Sequence, residues 1–236
     1  MPDVILEVSG LVTNYGQVTA LKNISFKVFE NEIIGIVGPN GSGKTTLLET
    51  IAGTLRNKEG VISFLGRRID GLSVRERRRM GLMLVPQERY IFPMMQVRKN
   101  LEVSGVLVSP KRVNHLIDYV YSLFPALKER VTQSAHTLSG GQQKMLAVGI
   151  GIVSDARLLL IDEPSIGLAP KLVTRLFSNL SQIRQETGKA LFLAEQNVKI
   201  LRIADRIIGL EGGEIKFVEK SSNLDEKTLQ DLYMGQ

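Results

Sequence analysis

Residues 38–45, "GPNGSGKT", set glycines, a lysine and a hydroxyl at the spacing G-x-x-x-x-G-K-[ST]. That combination suits a polyphosphate. Gly38, Gly41 and Gly43 carry no Cβ, so the backbone can wrap phosphate oxygens closely. Pro39, Asn40 and Ser42 complete the loop, whose amide N–H groups and following helix start face the anion. Lys44 can bridge β- and γ-phosphates, the Thr45 hydroxyl can ligate Mg²⁺, and Thr46 stands next on the same turn. The expected ligand is a nucleoside triphosphate with its magnesium.

Two further stretches fit that chemistry. "RLLLIDEP" is an apolar run that ends in paired acids, Asp162 and Glu163. At the C-terminal end of a parallel strand such acids line the ligand crevice. Asp162 would lie near Mg²⁺, through water, and Glu163 would polarise the attacking water. The same pair could instead cap the next helix. Residues 138–142 read LSGGQ, a pentad that composition produces on the order of once in several thousand chains. Ser139 can cap a helix, while Gly140 and Gly141, followed by Gln142, allow close backbone approach to a second anion. One chain thus carries two anion loops. The economical explanation is a dimer that holds each nucleotide between one subunit's lysine loop and the other's LSGGQ.

These residues need a scaffold. "EIIGIVG" reads as a strand buried on both faces, of the parallel-sheet kind. After the loop, Leu47, Leu48, Ile51 and Leu55 share a helical face, with Gly53 near the helix end. Before it, Ile24, Phe26 and Val28 alternate with Ser25 and Lys27, the period of a half-buried antiparallel strand. Between Pro86 and Thr137 the pattern changes: Pro93 and Pro110 break it, and "VNHLIDYVYSLF" has helical spacing. A helix after Ser139, the strand "LLLID", a helix over 170–187, a strand over 191–194 and a Gly212-Gly213 hairpin complete the chain. The predicted class is α/β: a P-loop NTPase (RecA-like) core with an N-terminal antiparallel β subdomain and an inserted helical subdomain. The expected layout is a single domain over 1–236, with the core in 1–86 and 138–236 and the helical subdomain in 87–137.

Composition narrows the classes. A length of 236 residues allows a sizeable core, and no cysteine excludes disulfides and thiolate metal sites. The start, "MPDVILEVSG", has no cationic leader before an apolar run, so no signal peptide is expected. "MLAVGIGIV" is too short for a bilayer, which needs about 20 apolar residues. The net charge of +6 concentrates in "GRRIDGLSVRERRRMG". That run could be a nucleic-acid or anionic-lipid patch, but no stacking aromatic interrupts it, and a solvated helix face is expected.

With these motifs in this order, the sequence resembles the ABC-transporter ATPase family over essentially its whole length. The resemblance implies ATP and Mg²⁺ as cofactors. It implies that Tyr15 in "TNYG" stacks on adenine and that Gln87 in "LVPQER" links Mg²⁺ and the attacking water to the helical subdomain. It implies that Ser139, Gly140, Gly141 and Gln142 reach the ATP of the opposite subunit. "EPSIGLAP" departs from the commonest family pattern by placing Ala169 where Asp is usual, and "AEQN" places Gln196 where histidine is usual. Together with "YIFPMM", these features look like the smaller ATPase of bacterial and archaeal branched-chain amino-acid importers. Gln87, where that group often has Glu, and Ile150, where it often has Arg, are departures. The resemblance implies two transmembrane permease subunits docked on the helical subdomain, a second ABC ATPase as homo- or heterodimer partner and, indirectly, an extracytoplasmic solute-binding protein. It also implies a position on the cytoplasmic face of the membrane. An exporter or lipid-extraction ATPase would share this chemistry. A non-transport ABC protein acting on nucleic acid is disfavoured by the single copy of each motif.

"LFLAEQNVKI", residues 191–200, leaves one question open. Glutamine offers a donor and an acceptor but carries no proton away at neutral pH. Gln196 then either hydrogen-bonds phosphate and orients the site, or marks a weakened site whose partner subunit supplies most turnover. A one-residue shift of register would put Glu195 in that place.

Overall fold

A computed structural model describes residues 3–88, 90–225, 227 and 229. The chain opens with two long strands, β1 (Val4–Tyr15) and β2 (Val18–Phe29), paired antiparallel. Strand β3 (Ile33–Val37) leads into the lysine loop and helix α1 (Lys44–Ala52). Strands β4 (Glu59–Phe64) and β5 (Arg67–Arg68), helix α2 (Val74–Arg79) and strand β6 (Leu82–Val85) follow. Helices α3 (Val97–Ser104), α4 (Pro110–Leu123), α5 (Pro125–Lys128) and α6 (Gly140–Val153) come next. The chain then runs through β7 (Leu158–Asp162), α7 (Pro170–Thr187), β8 (Ala190–Ala194), β9 (Arg206–Glu211) and β10 (Glu214–Lys220). Pro110 and Pro170 occupy first-turn positions, where a missing N–H costs nothing.

Two sheets result. One has the order β2-β1-β4-β5, and the other β10-β9-β3-β8-β7-β6. In the second, β9, β3, β8, β7 and β6 are parallel, and β10 closes the edge as an antiparallel hairpin strand. The period-2 geometry of strands divides the core between the faces of this sheet. Ile33 and Val37 of β3 and Leu191 and Leu193 of β8 face α3, α4, α6 and α7. Ile34 and Ile36, with Phe192, face α1 and the antiparallel sheet. There Phe26 of β2 meets Phe192 edge to face, with centroids 5.4 Å apart. The fold is that of a P-loop NTPase core carrying an antiparallel β layer and a helical layer. Helix α6 packs against α3 and α4, so the helical layer continues past residue 137.

Two sequence expectations need correction. Helix α1 ends at Gly53, so Leu55 lies beyond it and shares no helical face with Leu47. The arginine run is not simply solvated. Arg77 of α2 is buried and donates to the carbonyls of Thr50 and Ile51 at the end of α1, and to those of Asp70 and Leu72. Arg78 donates to Ser154 O, at the end of α6, and to Ser104 O, at the end of α3. A cation among the orphan carbonyls of a helix C-terminus is favoured by hydrogen bonding and by the helix dipole.

Candidate nucleotide site

Sheet order assembles the site. Reading along the C-terminal ends of β3, β8, β7 and β6, one meets the lysine loop, then Gln196, then Asp162 and Glu163, then Gln87. Residues from four distant segments become neighbours because parallel strands sit about 4.8 Å apart. Gln87, Glu163 and Gln196 line a cleft of about 490 Å³ with Tyr15, Ala20, Asn40, Gly41, Gly43, Lys44, Thr45, Thr46 and Ile166, and Asp162 lies buried behind it.

The loop has little freedom. A Cβ on Gly38 would stand 2.0 Å from the Leu210 carbonyl oxygen, which leaves no room for any side chain. Gly43, the residue before α1, has φ 108°, a left-handed backbone that side chains disfavour. The N-terminus of α1 therefore opens into the cleft with amide N–H groups that no side chain caps.

Lys44 Nζ donates to Gly38 O at 2.7 Å and Pro39 O at 3.1 Å, and stands 3.8 Å from Glu163 Oε1. Burial pushes its pKa down, while Glu163, Asp162 and Glu195 push it up. Burial raises the pKa of Asp162, and a hydrogen bond from Thr45 opposes that shift. Asp162 Oδ1 and Ser42 Oγ are buried without a hydrogen-bond partner. Buried polar atoms are normally satisfied. The orphan carboxylate oxygen beside the Thr45 hydroxyl fits a hard cation ligated by oxygen, directly or through water. The residues therefore fit Mg²⁺ carried in with a triphosphate.

Glu163 has φ 44°, a left-handed conformation that is strained for a residue with a side chain. Its N–H donates to Ala194 O at 2.8 Å, which ties it to the end of β8. Gln196 Nε2 donates to Glu163 Oε1 and to Asn40 Oδ1, both at 2.6 Å. The register question is thereby answered: Gln196 faces the cleft. Glu195 turns inward, is almost wholly buried and accepts from the Ser165 N–H and hydroxyl. Tyr15 sits at the cleft rim, half exposed, with its hydroxyl donating to Glu49 at 2.8 Å.

The LSGGQ segment lies outside this cleft. Ser139 N-caps α6 in a capping box: its hydroxyl accepts from the Gln142 N–H, and Gln142 Oε1 accepts from the Ser139 N–H. Gly140 lines a neighbouring cleft with Gln87, Gln143, Lys144, Ile166 and Gly167. The structure thus brings Tyr15, residues 38–46, Gln87, Asp162, Glu163 and Gln196 into one region and leaves residues 139–142 beside it. Sequence reasoning missed Lys144, whose Nζ donates to Gln87 O at 2.5 Å and joins the Gln87 segment to α6. Its position directly after LSGGQQ was the available signal.

A parallel sheet with a lysine loop at its edge-on crevice defines a P-loop nucleoside-triphosphate-binding protein. Comparison with known proteins narrows this. The ABC transporter family model matches residues 21–166. A high-affinity branched-chain amino acid transport ATP-binding protein of Pseudomonas aeruginosa is 39% identical over 225 residues, covering 94% of this chain and 96% of the relative. A probable branched-chain amino acid transport ATP-binding protein of Archaeoglobus fulgidus is 32% identical, covering 95% and 96%. Among solved structures, a dimeric bacterial ABC transporter cassette superposes with TM-score 0.84 at 23% identity, covering 92% and 99%. The chain belongs to the ABC transporter family.

Proposed function

We propose that this chain is the ATP-hydrolysing subunit that energises a membrane transporter importing branched-chain amino acids. The row of strand ends that sets Gln196, Glu163 and Lys44 around one cleft carries the reading. The names of the relatives support the cargo. Lys44, the loop amides and Thr45 hold the polyphosphate and its Mg²⁺, and Tyr15 takes the adenine. Bound Mg²⁺ supplies charge neutralisation at the β- and γ-phosphates. Glu163 polarises the attacking water, with Gln196 orienting it and Gln87 linking the site to the helical layer.

LSGGQ serves the nucleotide of a second ABC ATPase, identical or not. Its place outside the lysine-loop cleft supports that division, as does the dimeric neighbour structure. Among the described residues no helix is long and apolar enough to cross a membrane. Transmembrane permease subunits supply the path, on whose cytoplasmic face this chain sits, and a solute-binding protein delivers cargo from outside. A groove of about 500 Å³ beside the Gln87 segment, with exposed Phe92, Val106 and Leu107, supports docking of an apolar permease segment there. Arg77 and Arg78 are engaged with helix ends, which speaks against a nucleic-acid patch.

Glu163→Gln tests the chemistry. The variant is expected to bind ATP, to lose turnover by about a hundredfold or more, and to accumulate an ATP-bound dimer in light scattering. Unchanged steady-state hydrolysis would overturn the role of Glu163, and a tight nucleotide-free dimer would overturn the sandwich.

A further inference from the structure

Glu195 is buried at the hinge between two functional segments. Its Oε1 accepts from the Ser165 N–H at 2.9 Å. Its Oε2 accepts from the Ser165 hydroxyl at 2.8 Å and from the Asn197 N–H at 3.3 Å. Burying a carboxylate is costly, and hydrogen bonds from three donors offset that cost. On one side of Glu195 is Gln196, which holds Glu163 and Asn40. On the other is the 163–169 loop, which begins with strained Glu163. A left-handed residue with a side chain persists only where its surroundings over-determine it. Glu163 is held by its N–H on Ala194 O, by the Ile166 N–H on its carbonyl and by Gln196 on its carboxylate, and the anchoring of Ser165 two residues later restrains the turn itself.

We propose that Glu195 is a positioning residue for hydrolysis: by clamping Ser165 it fixes the turn that aims the Glu163 carboxylate, and it locks that turn to the strand end bearing Gln196. Glu195 is buried behind the cleft lining and acts through Ser165 and Gln196. The proposal rests on the ATPase reading above. It adds a side-chain link beyond the ends of the β7–β8 ladder, beside the Glu163 N–H on Ala194 O and the Gln196–Glu163 bond.

Amide exchange and kinetics test it together, on the purified chain and on the assembly that hydrolyses ATP. Glu195→Gln replaces one acceptor by an amide that opposes a donor. Exchange of the Ser165 amide is expected to rise by about tenfold, the effect of losing one charge-assisted hydrogen bond. MgATP affinity should stay within about threefold while kcat falls by about tenfold or more, because only aim is lost. Ser165→Ala, which keeps the backbone bond, should fall between, and adding it to Glu195→Gln should cost less than the sum of the two. Glu195→Asp is the rescue variant should Glu195→Gln fail to fold. Unchanged exchange at Ser165 would overturn the clamp. Raised exchange with wild-type kcat would overturn its role in hydrolysis, and equal losses in affinity and kcat would mark a merely structural residue. Glu163→Gln run alongside separates the two readings: wild-type turnover in that variant overturns the role of Glu163 and with it the aiming role of Glu195, whereas an assembly that hydrolyses no ATP even with the wild-type chain overturns the ATPase reading and leaves the exchange test of the clamp standing.

Discussion

Gln196 reaches across from the end of β8 and donates to the Glu163 carboxylate at the end of β7 over 2.6 Å. The same nitrogen donates to Asn40 in the lysine loop. A neutral amide thus bridges the Glu163 carboxylate and the lysine loop without bearing a proton that could be transferred. Its contribution is geometric: it fixes the carboxylate against the loop.

Gln196→Ala should therefore cut kcat by about tenfold or more while leaving MgATP affinity within about threefold. Gln196→His, which retains an N–H donor, should recover part of the loss. Steady-state ATPase of the reconstituted complex measures both. Alanine activity equal to wild type would defeat the positioning role and shift turnover to the partner subunit.

Asp162 has an orphan oxygen and a carboxyl whose pKa burial raises. Asp162→Asn removes that buried charge and keeps an acceptor for Thr45. The Mg²⁺ concentration for half-maximal ATPase should rise by about tenfold or more, since a hard cation loses its anionic partner. The nucleotide-free melting temperature should hold or increase. A Mg²⁺ titration and a thermal melt give the two readouts.

Arg77 donates to four carbonyls from a buried position, where burial pushes its pKa down. Arg77→Met leaves those oxygens unmet and should cost about 3 kcal/mol in urea unfolding. Arg77→Lys should recover little, because a single ammonium cannot reproduce the planar fork. A loss below about 0.5 kcal/mol would show that water replaces the guanidinium freely.

Glu195 gives the stability curve a slope. Burial, with a further push from Glu163, raises its pKa from 4.5 to about 7, against the opposing bonds from Ser165 and Asn197. Between those values the folded chain holds a proton that the unfolded chain has lost. Its contribution is therefore full below pH 4.5 and is lost as pH rises to about 7. The unfolding free energy of the nucleotide-free chain from urea titrations should fall between pH 5 and pH 8 by roughly 2–3 kcal/mol more than that of Glu195→Gln. Parallel profiles would contradict this.

Local patterns made most of the scaffold readable. The 170–187 helix starts at a proline and stops at left-handed Gly188, and both signals are local. The buried strand before the lysine loop and the hairpin at Gly212-Gly213 are equally local. The lysine loop, the paired acids and LSGGQ were legible because phosphate chemistry restricts residue type. Most of what failed or stayed open depended on distant partners. Whether an arginine is solvated or buried depends on which helix ends meet it, and nothing in "RERRRMG" tells Arg77 from Arg79. Likewise the inward turn of Glu195 follows from Ser165, thirty residues earlier in the chain. Leu55 kept the helical period but not the helix, because Gly53 broke the backbone first.

Arg77 and Arg78 are neighbours, yet they cap different helices: Arg77 the rear of α1, Arg78 the rear of α6. The front of α1 carries Lys44, and that of α6 carries LSGGQ. The rear ends of α1 and α6 are thus pinned within one peptide unit, about 3.8 Å of chain. Their front ends, the lysine loop and LSGGQ, line different clefts. Such a linkage works like the rivet of a pair of compasses: swinging α6 about it changes the span between the two points and leaves the joint intact.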